Sequence, residues 1–345
     1  MPPAPTPSFP LWRRALQRVV EVIPHTQRLD LQVVEVDDDG VTFHQPWQSN
    51  LCGDIQRELV HSGVLSMLLD TASGAALLPA LPTPEICPTL DLHVSHRRPA
   101  TAGQGLWVRA RAVEVTQSLV FTEAEVWQQP GVVIARATGH FMRLGERNTP
   151  PDFAMALFEG LEDGASDETA SAAAVSPSAV PASQEGKLVP ELPLEFRVLD
   201  SLTLDSLNRG RESGDISAWL EWIPYAQYIG VRAAGSEEPG QFVLEPRRRN
   251  IGNFMLPALH GGVVAAFMET AAALSALQAG REPRLPRLVD VTLDYLRSAE
   301  VKPTHAQCWI EREGRRMAHV RVKAWQDDDR LPVASARVNF LLGDL

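Results

Sequence analysis

Hydrophobic and polar residues alternate along several segments of this chain, and two long segments are almost entirely apolar. In the segment 106–112 every second residue is small or apolar, which is the two-residue period of a half-buried strand. The segments 64–78 and 263–277 are rich in small and apolar residues and contain no Pro, so we predict a buried helix in each. Further strands are predicted over 29–36, 41–46, 89–97, 106–115, 119–128, 132–142 and 241–246.

The second half of the chain repeats the order of these elements. The motif His61-Ser62-Gly63-Val64 recurs 199 residues later as His260-Gly261-Gly262-Val263. The same offset pairs Asp91 with Asp290, Arg98 with Arg297 and Phe141 with Phe340. An ordered series of such pairs over about 120 residues indicates an internal duplication. Each half is predicted to be an α+β domain, with one long helix wrapped by an antiparallel sheet.

Composition divides the chain in the same way. Its 345 residues, 44% of them hydrophobic, are enough for two cores. Between residues 159 and 184 there are five acids and no Lys or Arg, in a stretch dominated by Ala, Ser and Pro, which is typical of a flexible linker. We predict a first domain over 1–148, a linker over 149–190 and a second domain over 191–345. The formal charge of −11 argues against general nucleic-acid binding.

We expect a soluble, cytoplasmic protein. By this interpretation no apolar run approaches the roughly 18 to 20 residues that a membrane span needs, and the N-terminus lacks the charged and apolar regions of a signal peptide. The three cysteines, Cys52, Cys87 and Cys308, are far apart and have no metal-ligand or CxxC spacing. No metal site and no chemistry of the cysteines is expected.

Three features recur together in both halves: a His-x-Gly motif opening a helix, an acid nine residues later, and a Leu-Asp or Val-Asp strand about twenty residues further on. This combination resembles the hotdog-fold thioesterases, in particular the phenylacetate-degradation (PaaI-like) acyl-CoA thioesterases. The resemblance covers most of both halves. It implies two tandem hotdog domains that form an intrachain pseudo-dimer, and hydrolysis of a CoA thioester with no cofactor beyond the CoA of the substrate. It also favours a homodimer of the whole chain.

The His-x-Gly motifs are candidate oxyanion holes. The first backbone N–H groups of a helix have no partner within the helix, and the helix dipole makes this end positive. His61, Ser62 and Gly63 in one half, and His260, Gly261 and Gly262 in the other, are placed to polarise a thioester carbonyl. In the alternative interpretation the glycines only allow close packing and the histidine caps the helix.

Asp70 and Glu269 lie in the middle of the two apolar helices. A buried carboxylate is costly unless it is hydrogen-bonded or functional, although each acid could simply bind a buried backbone group. Nine helical residues rise about 13 Å, so neither acid reaches the start of its own helix. We therefore expect each to serve the helix of the other half. The resemblance implies the same arrangement, with the acid acting as a general base or as a nucleophile.

The two resulting sites differ in their residues. The resemblance implies a hydroxyl residue before the Leu-Asp or Val-Asp pair and an Asn upstream of the His. Thr89 supplies the hydroxyl in the first half, where the second half has Leu288. Asn253 precedes His260 by seven residues, whereas we interpret 51–60 as an insertion that separates Asn50 from His61. We predict a competent site made of Asp70, Thr89, Asn253, His260, Gly261 and Gly262, and a weaker or binding-only site around Glu269.

Coenzyme A requires cationic contacts for its phosphates, and the candidates include Arg98, Arg297 and Arg248. Besides a second copy of the chain, acyl-CoA is the partner expected, with no nucleic acid and no membrane. Two alternatives to a thioesterase remain open. One is a hotdog enoyl-CoA hydratase or dehydratase, which needs a His and an acid converging on the substrate. The other is a non-catalytic acyl-CoA-binding protein.

Overall fold

The computed structural model of the chain describes residues 7–161, 201–234, 239–253, 257–280 and 284–342. In the first half, two helices precede a set of strands interrupted by one long helix. Its helices are α1 Phe9–Val22, α2 Pro24–Arg28, α3 Ser62–Ala80 and α4 Phe153–Phe158. Its strands are β1 Gln32–Asp37, β2 Gly40–Gln45, β3 Cys52–Asp54, β4 Leu59–Val60, β5 Thr89–His96, β6 Leu106–Val115, β7 Leu119–Trp127 and β8 Val133–Met142.

The second half has the same order of elements. Its described helices are α5 Ser201–Ser213, α6 Ser217–Leu220, α7 Pro224–Ile229 and α8 Gly261–Ala279. Its described strands are β9 Val231–Ala233, β10 Gln241–Leu244, β11 Ile251–Asn253, β12 Ala258–Leu259, β13 Arg287–Tyr295, β14 Thr304–Glu313, β15 Met317–Trp325 and β16 Ala334–Leu341. The predicted central helices lie within α3 and α8, and the predicted strands correspond to observed ones. The double-hotdog, α+β prediction is confirmed.

Twelve of these strands form one continuous antiparallel sheet, in the order β1-β2-β6-β7-β8-β5-β13-β16-β15-β14-β10-β9. The halves join where β5 pairs with β13, and His93 stands opposite Thr292 at the centre of this pairing. These two residues are 199 positions apart and share a hydrogen bond of 3.1 Å between His93 Nδ1 and Thr292 Oγ1. An axis of approximate twofold symmetry therefore passes between them and relates the two halves.

The two central helices pack against each other on one face of this sheet. A Cβ atom built on Gly63 would lie 2.4 Å from Ala266 Cβ, and one built on Gly262 would lie 2.5 Å from Met67 Cα. No side chain fits at either position, because backbone or neighbouring Cβ atoms already occupy the space. The close-packing interpretation of the motif therefore holds for its last glycine, and the helices approach closely near their N-termini.

Both central helices are, by length and composition alone, long and apolar enough to cross a membrane. The expectation that no segment would reach that length was wrong. Within the protein, however, 78% of the apolar window of α3 and 83% of that of α8 is buried. The sheet and the partner helix cover them on nearly all sides, which explains why they lack the polar face of a surface helix.

Part of the predicted linker packs on the first domain. Helix α4 lies beyond the predicted boundary at residue 148, its Leu157 is buried, and the ring of Phe158 meets that of Trp12 edge-on at 4.8 Å. The first domain thus extends to at least Leu161, which also contacts the core. The rest of the predicted linker and the predicted start of the second domain at residue 191 lie outside the described residues.

Candidate active site

Asp70 lies near the middle of α3, and its carboxylate faces the start of α8 in the other half. Thr89, the first residue of β5, donates a hydrogen bond of 3.0 Å from Oγ1 to Asp70 Oδ1. A Cβ atom built on Gly261 would lie 3.0 Å from Asp70 Oδ2. The first position of α8 thus suits a glycine because the carboxylate of Asp70 occupies the adjacent space.

Opposing effects set the proton affinity of Asp70. Burial raises the pKa of its carboxyl group, because the charged form loses hydration. The nearby His260, the Thr89 hydroxyl and the backbone N–H of Gly262 act in the opposite direction and favour the carboxylate. Tyr295 also lies beside Gly261, and its hydroxyl donates a hydrogen bond of 3.0 Å to the Gly261 carbonyl and fixes this turn.

The two motif histidines are helix caps with both ring nitrogens engaged. Nδ1 of His260 accepts the N–H of Gly262 at 3.0 Å, and Nδ1 of His61 accepts that of Gly63 at 2.9 Å. Each Nε2 then carries the proton and donates to a threonine of the other half, Thr71 for His260 and Thr270 for His61. Burial lowers the pKa of both rings, to about 4 for His61. The rings are therefore neutral anchors between the halves.

A cavity of about 600 Å³ opens beside Asp70. Its volume is typical of small-molecule sites, and its wall is mainly apolar. Residues of the second half, including His260 and Gly261, form one side of it. The rest of its wall comes from α1, from the C-terminal half of α3, from β8 and from the region around α4, and includes Leu16, Val20, Leu77, Leu78, Phe141 and Phe153.

Glu269, the acid that corresponds to Asp70 in the repeat, differs from Asp70 in burial and in hydrogen bonding. It is only 1% exposed, against 7% for Asp70, and Ser66 Oγ donates a hydrogen bond of 2.5 Å to its Oε1. The Ser62 hydroxyl also faces this carboxyl group. Burial raises the pKa of Glu269 to about 7, and the two serines offset only part of that effect. The hydroxyl of Ser62 thus covers the carboxyl group of Glu269. At the corresponding position of the other site, Gly261 has no side chain and leaves the carboxylate of Asp70 uncovered.

The second cavity, near Ser62, has a volume of only about 110 Å³. His61 and Ser62 line it, but Glu269 does not. Leu288, in the position of Thr89, forms part of its wall and brings no hydroxyl group. The predicted difference between the two sites is thus visible in their size as well as in their polar groups.

One sequence-based alignment was wrong. The turn Ser49–Leu51 with β3 and β4 matches the turn Arg248–Asn250 with β11 and β12 at a constant offset of 199 residues. The first half therefore has no insertion over 51–60. Asp54, and not Asn50, occupies the position that corresponds to Asn253. The side chain of Asn253 itself lies outside the described part of the chain.

The predicted phosphate-binding arginines divide between the two cavities. Arg297 lines the large cavity and Arg98 the small one, and each donates a hydrogen bond of 2.8 Å from Nη1 to a backbone carbonyl, of Pro332 and Val133 respectively. Arg248 lies in the turn before β11 and lines neither cavity.

Several residues of the site had not been recognised in the sequence. Tyr295, Thr71, Thr270 and Ser66 all touch the motif or the acids. The two threonines carry a signal, because each follows its acid directly and they match in the repeat. Tyr295 carries none, because its repeat counterpart is His96 and its bond is to a backbone carbonyl.

Comparison with known proteins agrees with this arrangement. The family model of the thioesterase superfamily matches the chain twice, over residues 58–135 and 256–333. Each match includes one His-x-Gly motif and one central helix. The chain thus contains two segments in tandem that match the thioesterase-superfamily model. Assignment to the PaaI-like branch stays a prediction.

Curated relatives and solved structures give the same picture. Medium/long-chain acyl-CoA thioesterases named YigI, from Salmonella typhimurium and Escherichia coli K12, are each 26% identical over 135 residues, covering 35% of this chain and 86% of the relative. The tesB protein of Mycobacterium avium subspecies paratuberculosis is 10% identical with a TM-score of 0.52, over 95% of this chain and 100% of that one. A candidate thioesterase from Novosphingobium aromaticivorans is 16% identical with a TM-score of 0.54, over 90% and 98%. At these identities the structures support the fold.

Proposed function

We propose that this chain hydrolyses acyl-CoA thioesters at the site formed by Asp70 and the first turn of α8. The observation that carries this proposal is the Asp70 carboxylate lying against Gly261 on the wall of the large apolar cavity. The site thus combines a carboxylate base, a helix N-terminus and room for an acyl group. The tandem thioesterase domains support the same reaction class.

In the proposed reaction the thioester carbonyl oxygen lies at the backbone N–H of Gly261, among the backbone dipoles that open α8; the N–H of Gly262 is already bonded to His260. These dipoles stabilise the negative charge that develops on this oxygen when water attacks. Asp70 takes the proton of the attacking water as a general base, and its raised pKa makes it a stronger base than a solvated aspartate. Thr89 holds one carboxylate oxygen, leaving the other directed at Gly261. The tetrahedral intermediate collapses to the free acid and the CoA thiolate.

We propose a medium or long acyl chain as the substrate. The YigI relatives are medium/long-chain acyl-CoA thioesterases, and the cavity extends from Asp70 along the aliphatic side chains of α1 and α3. Arg297, at the same cavity, is our candidate for contact with the CoA phosphates. The hydratase alternative is disfavoured, because it needs a histidine that transfers a proton. Both ring nitrogens of His260 are already hydrogen-bonded, to Gly262 and Thr71.

The test is release of free CoA thiol from short-chain, medium-chain and aryl acyl-CoAs. Asp70→Asn keeps the shape of the side chain and removes the base, so the rate is expected to fall by about 10²- to 10⁴-fold. Glu269→Gln is the matched control in the other half and is expected to retain hydrolysis. If the wild type binds CoA esters but cleaves none of them, the protein is a binder and the proposal is wrong.

A further inference from the structure

The small cavity lies where the internal repeat places a counterpart of the proposed active site, yet its described lining residues lack the pair of helix acid and threonine hydroxyl found at the large cavity. Glu269 does not line it and is held by Ser66, and Leu288 stands where Thr89 would orient the base. Its volume of about 110 Å³ is well below the roughly 300 Å³ of the smallest typical ligand sites. A narrow ligand end fits here, whereas an acyl chain does not.

The rim of this cavity is more basic than that of the large one. Arg57, Arg98 and Arg287 all line it. Arg57 is held by Asp54, with 2.6 Å between Nε and Oδ2, but no acid in the described parts of the chain forms an ion pair with Arg98 or Arg287. Among the described residues that line the large cavity there is one arginine, Arg297, and Pro88 occupies the position that matches Arg287. The rim therefore favours an anionic ligand.

A buried polar group in the wall lacks a partner. His96 is 8% exposed, lines the small cavity, and its Nε2 has no hydrogen bond among the described residues. Its repeat counterpart, Tyr295, donates a hydrogen bond to the carbonyl of Gly261, the first residue of α8. The imidazole of His96 is shorter and makes no such bond to the first residue of α3. Buried polar groups normally have a partner, and a ligand group can provide one here.

We propose that the small cavity is a second binding site for free coenzyme A, which it holds without chemistry. The CoA phosphates contact the arginines of the rim, and the narrow pantetheine end enters the cavity and meets His96. An acyl-CoA is excluded by the volume. The choice of CoA rests on the proposed function, because CoA is the phosphorylated product that the large cavity releases.

The experiment is isothermal titration calorimetry of the full chain with CoA. Two sites per chain are expected. Arg287→Glu is expected to remove one of them while the chain still hydrolyses acyl-CoA, and the matched variant Arg297→Glu is expected to remove the other. Pantetheine, which lacks the phosphates, is expected to bind the small cavity at least tenfold more weakly than CoA, about 1.4 kcal/mol.

The inference is overturned if the wild type binds a single CoA, if Arg287→Glu leaves both sites intact, or if pantetheine binds as tightly as CoA. These results are separable from the proposed function. A chain that hydrolyses thioesters but binds one CoA refutes only the second site. A chain that binds two CoA molecules, one of them sensitive to Arg287→Glu, but cleaves no thioester refutes only the hydrolysis.

Discussion

Replacing Thr89 by Val removes one hydrogen bond from Asp70 and keeps the volume of the side chain. The bond is 3.0 Å long and its acceptor is buried, so solvent does not replace the lost donor. A hydrogen bond to a charged group contributes about 1.5–3 kcal/mol. Since one pKa unit corresponds to about 1.4 kcal/mol, the variant is expected to raise the pKa of Asp70 by about 1 to 2 units.

The sign of the effect on activity follows from the role of Asp70. The base works only when ionised, so kcat/KM rises with pH through the pKa of Asp70 and then reaches a plateau. In Thr89→Val this rising limb is expected to move to higher pH by about 1 to 2 units. Below the plateau the variant is therefore about 10- to 100-fold slower than the wild type, and above it the two converge.

The assay is a pH profile of kcat/KM. The rate is measured as release of the CoA thiol from one well-hydrolysed acyl-CoA. Thr89→Ser keeps the hydroxyl group and is expected to retain the wild-type profile. A Thr89→Val profile that coincides with that of the wild type would refute the assignment of Asp70 as the titrating base. A uniform loss at every pH would mean that Thr89 acts on the geometry of the site and not on the pKa.

Three further predictions concern stability and specificity. Because burial raises the pKa of Glu269 from 4.5 to about 7, the folded chain holds this proton more tightly than the unfolded chain, and the free energy of unfolding falls as pH rises between these values, by roughly 3 kcal/mol. The Glu269→Gln side chain stays neutral at every pH. Its melting temperature is therefore expected to exceed that of the wild type above about pH 7 and to equal it below about pH 4.5. A difference in melting temperature that does not change with pH would contradict this. Gly262→Ala places a Cβ atom 2.5 Å from Met67 Cα and is expected to lower the free energy of unfolding in urea by about 1–3 kcal/mol, whereas Gly74→Ala, with 3.9 Å to the nearest atom, is the tolerated control. Gly74→Leu projects into the large cavity and is expected to raise KM for long acyl-CoAs more than for short ones, so that equal effects on both would argue against this cavity as the acyl site.

The sequence predicted most of the sheet because its long strands have one buried and one exposed face. The strand 106–115 was predicted with the bounds that the structure shows. The short strands β3 and β4 were missed, since two or three residues are too few to show a period. The predicted linker begins before α4, because this apolar helix has only six residues and lies next to a long stretch of Ala, Ser and Pro.

For the site, the sequence predicted which acid faces which helix, because helical rise alone excludes the helix to which each acid belongs. It placed Glu269 opposite Ser62, as the structure does, but it did not predict the hydrogen bond from Ser66, because helical rise gives no information on how the side chains of the two helices interdigitate. The comparison of Asn50 with Asn253 failed because it matched residue type, whereas the fold preserves register and places Asp54 there.

The reciprocal His–Thr contacts and the β5–β13 pairing also bear on how the chain is made. The apolar face of each central helix is buried only when the other central helix packs against it. Helix α8 begins 199 residues after α3, so α3 is synthesised first. At a synthesis rate of 5–20 residues per second, that interval lasts roughly 10 to 40 s. The nascent first half therefore waits with an uncovered apolar surface, and the speed of translation sets how long chaperones must protect it.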